Sequence, residues 1–333
     1  MDCSIIIVNY KSAGLVADCL RTVYAQTHIN FEVIVVDNHS GDDSKQLLTG
    51  SFPQLQWVQM DYNAGFARAN NAGINRSKGK VVLLLNPDTL ISDHAIENCY
   101  RSLMQSQYVA AGVQLVNPDG SAQIAGNYAK TGGLNYLLPL PYLGNFIKWL
   151  GTALGAGKPN VPHANDVVEV DWINGAFLMV KRNAIEQAGL MDEDFFLYAE
   201  EAEWCHRLKK TGKLCLFGQY KVIHLQGETA NAAFASTGRG YYNLYDRKGL
   251  QIMVSNFVRI RKEFGLFWFM VNLGVYVFEI IVFPICLLID TLFRGRGAGY
   301  TWAQLGGYVS NVSRLLALSP RVIANKPYFY KVL

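Results

Sequence analysis

Val82-Leu83-Leu84-Leu85-Asn86-Pro87-Asp88-Thr89-Leu90 decides how the chain folds. Five consecutive apolar residues, Val81–Leu85, stand between Gly79 and Pro87, too short a run for a typical helix. Such a run predicts a strand buried on both faces of a parallel sheet. Proline has no amide to give to a ladder and drives the residue before it away from helix geometry, so the strand stops at Asn86. The stop delivers the Asp88 carboxylate at the carboxyl end of a central strand, where open α/β sheets hold ligands. Taken alone, Asp88 serves equally as a metal ligand or as the N-cap of a following helix.

The segments around it repeat the pattern. Ser4–Val8 is a β-branched run ending in Asn9-Tyr10-Lys11-Ser12. Leu15, Val16, Cys19, Leu20 and Val23 then share one face of a predicted helix. Phe31–Val36 and Leu55–Met60 read as the second and third strands, followed by Asp37-Asn38-His39-Ser40-Gly41 and Asn63-Ala64-Gly65-Phe66. Strands alternating with helices at this spacing predict a parallel sheet with right-handed crossovers. The polar strand ends gather on one sheet edge, the edge where a nucleotide would sit, although turn formation alone accounts for any one of them. No G-x-G-x-x-G follows the first strand, so the dinucleotide fingerprint is absent. Asp37 would instead accept hydrogen bonds from a base or ribose. Arg68 puts a guanidinium at a helix start, where donors suit phosphate.

Composition narrows the class further. The chain has 333 residues, 50% hydrophobic and 17% charged, with a mean hydropathy of +0.10. That accommodates one large domain, or one domain plus an appendage. A net charge of +4, with no basic stripe interleaved with aromatics, argues against nucleic acid as a partner. Six scattered cysteines without a CxxC pair fit reduced thiols better than disulfides or a zinc site. The first residues enter a strand without a basic leader, so no secretory signal is expected.

In the second half, Asp171-Trp172-Ile173-Asn174-Gly175-Ala176-Phe177 reads as a strand entered through a glycine bend, with Lys181-Arg182 opening a helix. Six carboxylates then fall between Asp192 and Glu203, interleaved with aromatics. Asp192, Glu193 and Asp194 read as acidic residues facing a helix dipole. Glu200 and Glu201, beside Phe195, Phe196 and Trp204, are different, because apolar surroundings raise a carboxyl toward a general-base value. His224 closes the apolar run Leu214–Ile223. A lone histidine after a strand is usually a satisfied core residue.

Val8-Asn9-Tyr10, Val35-Val36-Asp37-Asn38-His39-Ser40, the run Asn63 to Gly73 and Leu84-Leu85-Asn86-Pro87-Asp88 together resemble family 2 glycosyltransferases, nearest to the bacterial rhamnosyltransferase-like branch. The resemblance covers about residues 4–250. It implies a GT-A fold, a Rossmann-like mixed α/β sheet that holds a nucleotide-sugar, with a hydrophobic helical C-terminal appendage here. It implies donor contacts from Asn9, Tyr10, Asp37, Asn38, Asn63, Gly65, Arg68, Asn71, Asn86, Trp172, Asn174 and Gly175. Asn86-Pro87-Asp88 stands where the family has Asp-x-Asp, so Asp88 would hold Mg²⁺ or Mn²⁺ against the diphosphate, with His224 as a second ligand. Phe195-Phe196-Leu197-Tyr198-Ala199-Glu200-Glu201-Ala202-Glu203-Trp204-Cys205-His206-Arg207 is similar to the family's catalytic motif. The family's base is an Asp at the position of Glu201. Glu201 is therefore the expected base, with Glu200 or Glu203 orienting the acceptor. Arg239, Tyr241, Tyr242 and Arg247 could close over the diphosphate, and an ordinary amphipathic helix accounts for them equally well.

Leu266–Leu292 is long enough to span a bilayer, which takes about 20 residues, but Glu279 lies in its middle. A charge at that depth costs about 2.5–3.5 kcal/mol. A bent helix or hairpin at Pro284 dipping into the cytoplasmic leaflet is expected, with Ala303–Leu318 beside it at the interface. Leu134–Leu154 would be another membrane-facing segment. A buried core helix or a homodimer interface is the competing reading.

These readings give a domain at 1–250 and a membrane-associating region at 251–333. The expected function is inverting, metal-dependent transfer of a sugar, with dTDP-rhamnose implied by the nearest branch, to a lipid-linked saccharide. The expected place is the cytoplasmic face of a bacterial plasma membrane, in surface-polysaccharide or O-antigen synthesis. A nucleotidyltransferase would need a glycine-rich basic loop after the first strand, and a processive synthase several spans and Gln-x-x-Arg-Trp; the sequence has neither. A non-catalytic nucleotide-sugar-binding or scaffold protein is the alternative.

Overall fold

Val81–Leu85 forms the expected strand, and all five side chains are buried. A computed structural model describes residues 1–155, 157, 160–225, 243–294 and 299–333. In chain order the strands are β1 (Cys3–Asn9), β2 (Phe31–Asp37), β3 (Gln56–Gln59), β4 (Val81–Leu85), β5 (Thr89–Ile91), β6 (Ala110–Val116), β7 (Gly126–Asn127), β8 (Asn160–Val161), β9 (Val167–Val170), β10 (Trp172–Ile173), β11 (Phe177–Lys181) and β12 (Leu214–His224). Two compact units emerge, one of Met1–Tyr128, Asn160–Phe196 and Glu200–Thr229, the other of Ala129–Pro159, Leu197–Ala199 and Ala230–Leu333.

Among the described residues of the first unit a nine-stranded sheet runs β3-β2-β1-β4-β11-β6-β12-β5, with β9 on β12. β3, β2, β1 and β4 are parallel, as alternation with helices α1 (Ala13–Gln26), α2 (Ser44–Ser51) and α3 (Gly65–Arg76) predicts. β11 is antiparallel to both β4 and β6, which makes the sheet mixed. Register sets Asn9, Asp37 and Gln59 side by side at the carboxyl ends of β1, β2 and β3. The polar edge is thus one continuous row.

Asp88 caps no helix. Thr89 enters β5, which pairs antiparallel with β12, and α4 (Ala95–Gln105) begins only after that strand. Of the two roles open to Asp88 in the sequence, the local fold removes the cap. The same pairing sets Thr89 opposite His224.

In the second unit, α5 (Tyr142–Ala153), the long helix Arg247–Arg294 and the terminal helix Trp302–Ala324 pack together. Gly265 adopts φ 86° and breaks the long helix, whereas Pro284 lies inside it. The bend expected at Pro284 therefore falls at glycine, which meets no Cβ penalty at positive φ. Beyond the bend the helix has two faces. Phe269, Asn272, Tyr276, Glu279, Phe283 and Leu287 are buried, while Phe267, Met270, Phe278, Ile281, Ile285, Leu288 and Leu292 are exposed at steps that repeat the helical period. Two polar interruptions of the apolar run, Asn272 and Glu279, lie on the buried face. Asn272 donates to the Gly132 carbonyl at 2.9 Å, and the Glu279 carboxylate accepts from the Tyr142 and Leu143 amides at 3.0 and 3.2 Å.

Those amides open α5, where a helix has no internal acceptors and where a carboxylate opposes the dipole. Glu279→Leu strands both in a site of zero exposure. The expected loss is on the order of 2 kcal/mol or more, read by chemical denaturation. An unchanged midpoint would contradict the capping role.

Candidate active site

The carboxyl edge of the first unit is held by a polar network centred on Asp37. Its Oδ1 accepts from Asn9 Nδ2 at 2.8 Å and Ser40 Oγ at 2.5 Å, and its Oδ2 from the Ser40 amide at 3.0 Å and Gln59 Nε2 at 2.8 Å. Burial pushes this carboxyl upward, but the donors of Ser40, Gln59 and Asn9 outweigh it and hold Asp37 below the usual carboxylate range. All four bonds go to protein, so Asp37 shapes the edge rather than presenting a bare carboxylate. Beside it opens a cleft of about 410 Å³ lined by Asp37, His39, Lys45, Trp57, Gln59 and Met60, among others. Tyr10 follows directly on Asn9 and carries the Lys11 ammonium 5.6 Å from its ring centre.

Asn38 fixes the next loop. Its Nδ2 donates to Asn63 Oδ1 at 3.0 Å, and its Oδ1 accepts from the Ala64 amide at 2.8 Å. Gly65 follows at φ 78°, where a Cβ would overlap the Phe196 carbonyl oxygen. The Phe66 amide donates to that same oxygen at 2.8 Å. Asn71 clamps the same segment from α3, donating to the Met191 carbonyl at 2.9 Å and accepting from the Met191 amide at 3.0 Å. Arg68 Nε bonds the Glu193 carbonyl at 3.0 Å and Nη1 the Tyr62 hydroxyl at 2.8 Å. In this geometry its guanidinium braces the 191–196 segment, whereas the sequence assigned it to phosphate.

Asn86, Trp172, Asn174 and Gly175 meet on the other side of β4. The Asn86 amide donates to the Ala176 carbonyl at 3.0 Å, and Asn174 Oδ1 closes the bend by accepting from the Ala176 amide at 2.9 Å. A Cβ on Gly175 would sit 3.5 Å from Glu201 Cγ and 3.7 Å from the Phe66 ring. The bend after Trp172 thus joins the end of β4 to the side chain expected to act as base. Trp172 Nε1 is buried with no hydrogen-bond partner among the described residues.

Glu200, Glu201 and Glu203 all lie in α7 (Glu200–Leu208) and are buried. The two residues before it, Tyr198 and Ala199, hold φ of 71° and 66°, rare for residues with side chains. Burial, and then the neighbouring Glu201 charge, push the Glu200 carboxyl well above its ordinary value. Among the described residues its Oε2 is a buried atom without a hydrogen-bond partner. Glu203 differs from expectation. Both its oxygens accept from Arg207, Nε at 2.7 Å and Nη2 at 2.8 Å, while Arg207 Nη1 holds the Ala188 carbonyl. A fork-to-fork pair one helical turn apart engages both carboxylate oxygens, so Glu203 anchors α7 to α6 (Arg182–Ala188) in this structure.

Asp88 and His224 come together across the β5–β12 pairing, with His224 Nε2 3.4 Å from Asp88 Oδ1 and both residues buried. The Leu225 amide donates to the Asp88 carbonyl at 2.9 Å. A carboxylate and an imidazole this close suit one divalent cation, the diphosphate and water filling its other positions. Among the described residues no group of three or more His, Cys, Asp or Glu does so. The donor set therefore fits a cation shared with substrate better than a self-sufficient protein site. Arg239, Tyr241 and Tyr242 lie outside the described residues; Arg247 opens the long helix.

Gln59 and Gln123 escape the sequence reading. Gln59 ends β3 in register with Asp37 and follows the same strand-end rule that found Asn9. Gln123 sits in irregular chain after β6, where only the third dimension gives it a partner.

The mixed sheet and its carboxyl-edge site define a GT-A architecture, the fold of nucleotide-sugar-dependent glycosyltransferases. The solved structure of GalNAc-T7 with UDP, GalNAc and Mn²⁺ has this fold, matching at a TM-score of 0.55 and 14% identity over 78% of this chain and 48% of that one. The chain belongs to glycosyltransferase family 2. The model of the family described as Glycosyl transferase family 2 matches residues 4–151. The low-salt glycan biosynthesis hexosyltransferase Agl10 of Haloferax volcanii is 30% identical over 226 residues, 67% of this chain and 66% of its own length. The rhamnosyltransferase WbbL of Escherichia coli is 23% identical over 250 residues, 71% of this chain and 88% of its own.

Proposed function

We propose that the protein transfers a sugar from a nucleotide-sugar to a hydroxyl of a lipid-linked saccharide, with inversion, at a membrane surface. The observation that carries this reading is the meeting of Asp88 with His224 on the sheet edge whose neighbouring bend packs against Glu201. Asp88 and His224 would hold Mg²⁺ or Mn²⁺. When bound, such an ion neutralises charge that develops on the departing diphosphate. Glu201 takes the proton of the acceptor hydroxyl as its oxygen bonds to the anomeric carbon. The bond from that carbon to the diphosphate breaks in the same displacement, and the nucleoside diphosphate leaves. The Asp37 network and its cleft would receive the nucleoside. The name of the Escherichia coli relative supports a rhamnose donor, and that of the Haloferax relative supports glycan synthesis.

Charge supports the membrane. The second unit holds 15 Lys and Arg against 4 Asp and Glu, a net +11, whereas the first holds 15 against 22, a net −7. The long helix is apolar and long enough to cross a bilayer by length and composition. Its outward stripe carries no charge, and on α5 Phe146 and Trp149 are exposed as well, Trp149 by 64%. A basic body with an apolar, aromatic-bearing face matches an anionic cytoplasmic leaflet, which the helix enters without crossing. In this reading Ala129–Pro159 joins 251–333 in associating with the membrane. Phe278→Asp with Ile285→Asp is expected to lower binding to phosphatidylglycerol vesicles at least tenfold in co-sedimentation. Equal binding by this variant and by wild type would remove the stripe from the interface.

The test of the activity is a panel of nucleotide-sugars with Mn²⁺ or Mg²⁺ and a lipid extract, scoring nucleoside-diphosphate release. Release from one donor, abolished by chelation, is expected. Saturable nucleotide binding without release from any donor would favour a non-catalytic sugar-nucleotide-binding protein.

A further inference from the structure

Gln123 dictates which nitrogen of His224 carries hydrogen. One end of its amide lies 2.7 Å from the His224 carbonyl and the other 2.9 Å from His224 Nδ1. A backbone carbonyl only accepts, so the first end is the NH₂ group. The second is therefore the amide oxygen, which also only accepts, and Nδ1 must be its donor.

The assignment is reached independently from the other side. Ser121 Oγ lies 2.5 Å from Asp119 Oδ1, and an ionised carboxylate takes its hydrogen. Ser121 Oγ then accepts from Asn117 Nδ2 at 2.8 Å, which turns Asn117 Oδ1 toward Gln123 Nε2 at 2.7 Å. Both ends of the relay orient the Gln123 amide the same way. Gln123 and His224 are 5% and 6% exposed, so water does not scramble the arrangement.

A neutral imidazole has one N–H. With it on Nδ1, Nε2 presents a lone pair 3.4 Å from the Asp88 carboxylate. In that neutral form, two electron-rich atoms face each other in a buried pocket, an arrangement that suits a divalent cation.

We propose that Gln123 is a positioning residue that locks His224 in the Nδ1–H tautomer, so that Nε2 and Asp88 accept a divalent cation together. The proposal rests on the cation reading given above. It adds the residue that prepares the site before any ion arrives, a role outer partners of metal-bound histidines commonly have.

Two measurements on the full chain test it. ¹⁵N NMR of histidine-labelled, metal-free protein, with His224 assigned from a His224→Gln spectrum, is expected to show hydrogen on Nδ1 and none on Nε2. Titration with Mn²⁺ alone, followed by electron paramagnetic resonance, is expected to give about 10–100-fold weaker binding for Gln123→Leu. Gln123→Glu keeps an acceptor for Nδ1 but loses the donor to the His224 carbonyl, so the folded variant should keep the Nδ1–H tautomer and bind Mn²⁺ more tightly than Gln123→Leu, which a merely structural role for the side chain does not predict. Hydrogen on Nε2 in wild-type protein overturns the proposal, and this reading holds even if Gln123→Leu fails to fold. Equal Mn²⁺ binding by folded Gln123→Leu and wild type also overturns it. Wild-type protein that has the Nδ1–H tautomer but takes up no Mn²⁺ overturns the cation reading instead, leaving Gln123 as the tautomer's determinant.

Discussion

Glu201→Gln is expected to lower the rate of sugar transfer by about 10²–10⁴-fold while leaving nucleotide-sugar binding within a few-fold of wild type. The amide keeps the size of the side chain and its packing against Gly175, whose neighbourhood leaves 3.5 Å to Glu201 Cγ. It removes only the lone pair that takes the acceptor proton. Single-turnover kinetics with saturating donor separates the two effects. Near-normal turnover would move the base elsewhere on the edge.

The adjoining carboxyl supplies a companion measurement that concerns stability alone. Burial and the Glu201 charge raise the Glu200 pKa in the folded protein. The folded state then binds more protons than the unfolded state, so wild type loses stability as pH rises from about 4.3 through the raised folded value. Glu200→Gln has no such proton to lose. Its stability relative to wild type should increase with pH across that window, and a flat difference would contradict the buried, protonated assignment.

Asp88→Asn is the second large effect. Wild type should bind its donor nucleotide more tightly when Mn²⁺ is present. Asp88→Asn should abolish that gain, weakening binding in Mn²⁺ by about 100-fold or more and leaving binding in chelator unchanged. Isothermal titration with and without Mn²⁺ reads both. The carbonyl of Asp88 still receives the Leu225 amide in the variant, so the strand pairing that brings His224 near is kept. A metal-dependent gain that persists in Asp88→Asn would place the ion on other ligands.

The parallel half of the sheet was legible because β1, β2 and β4 are short apolar runs ended by polar loops, with the Gln-Trp-Val-Gln of β3 following the same spacing. Strand β4 could be bounded to the residue, since Pro87 stops it chemically. Asp88 and His224, 136 positions apart, lie 3.4 Å from each other, a proximity only the family resemblance could suggest, since no periodicity contains it. The residues whose surroundings were hardest to foresee are those with a specific partner in the fold. Arg68 and Glu203 were assigned from charge type, yet each has a specific counterpart, the Glu193 carbonyl and Arg207. Glu203 and Arg207 are four apart on one helix, so that pairing was open to sequence reasoning. Gln123 was not, because nothing local marks a glutamine in irregular chain. Glu279 looked like an obstacle in an apolar run because sequence hides which side of a helix a residue faces.

Glu279 also bears on how the protein can be shortened. Trimming the greasy C-terminal stretch to gain solubility treats it as a handle fastened to a finished body. Yet Tyr142 and Leu143 rely on a carboxylate 137 and 136 positions downstream, and the Gly132 carbonyl relies on Asn272. A chain cut at residue 250 would still contain 130–155 but would lack Asn272, Tyr276 and Glu279, which bond the Gly132 carbonyl, the Tyr136 carbonyl and the Tyr142 and Leu143 amides there. Such a fragment would expose a mid-chain segment to proteases and to aggregation, and its inactivity would say nothing about catalysis. Detergent or lipid, with the whole chain kept, is the sounder route to a soluble enzyme.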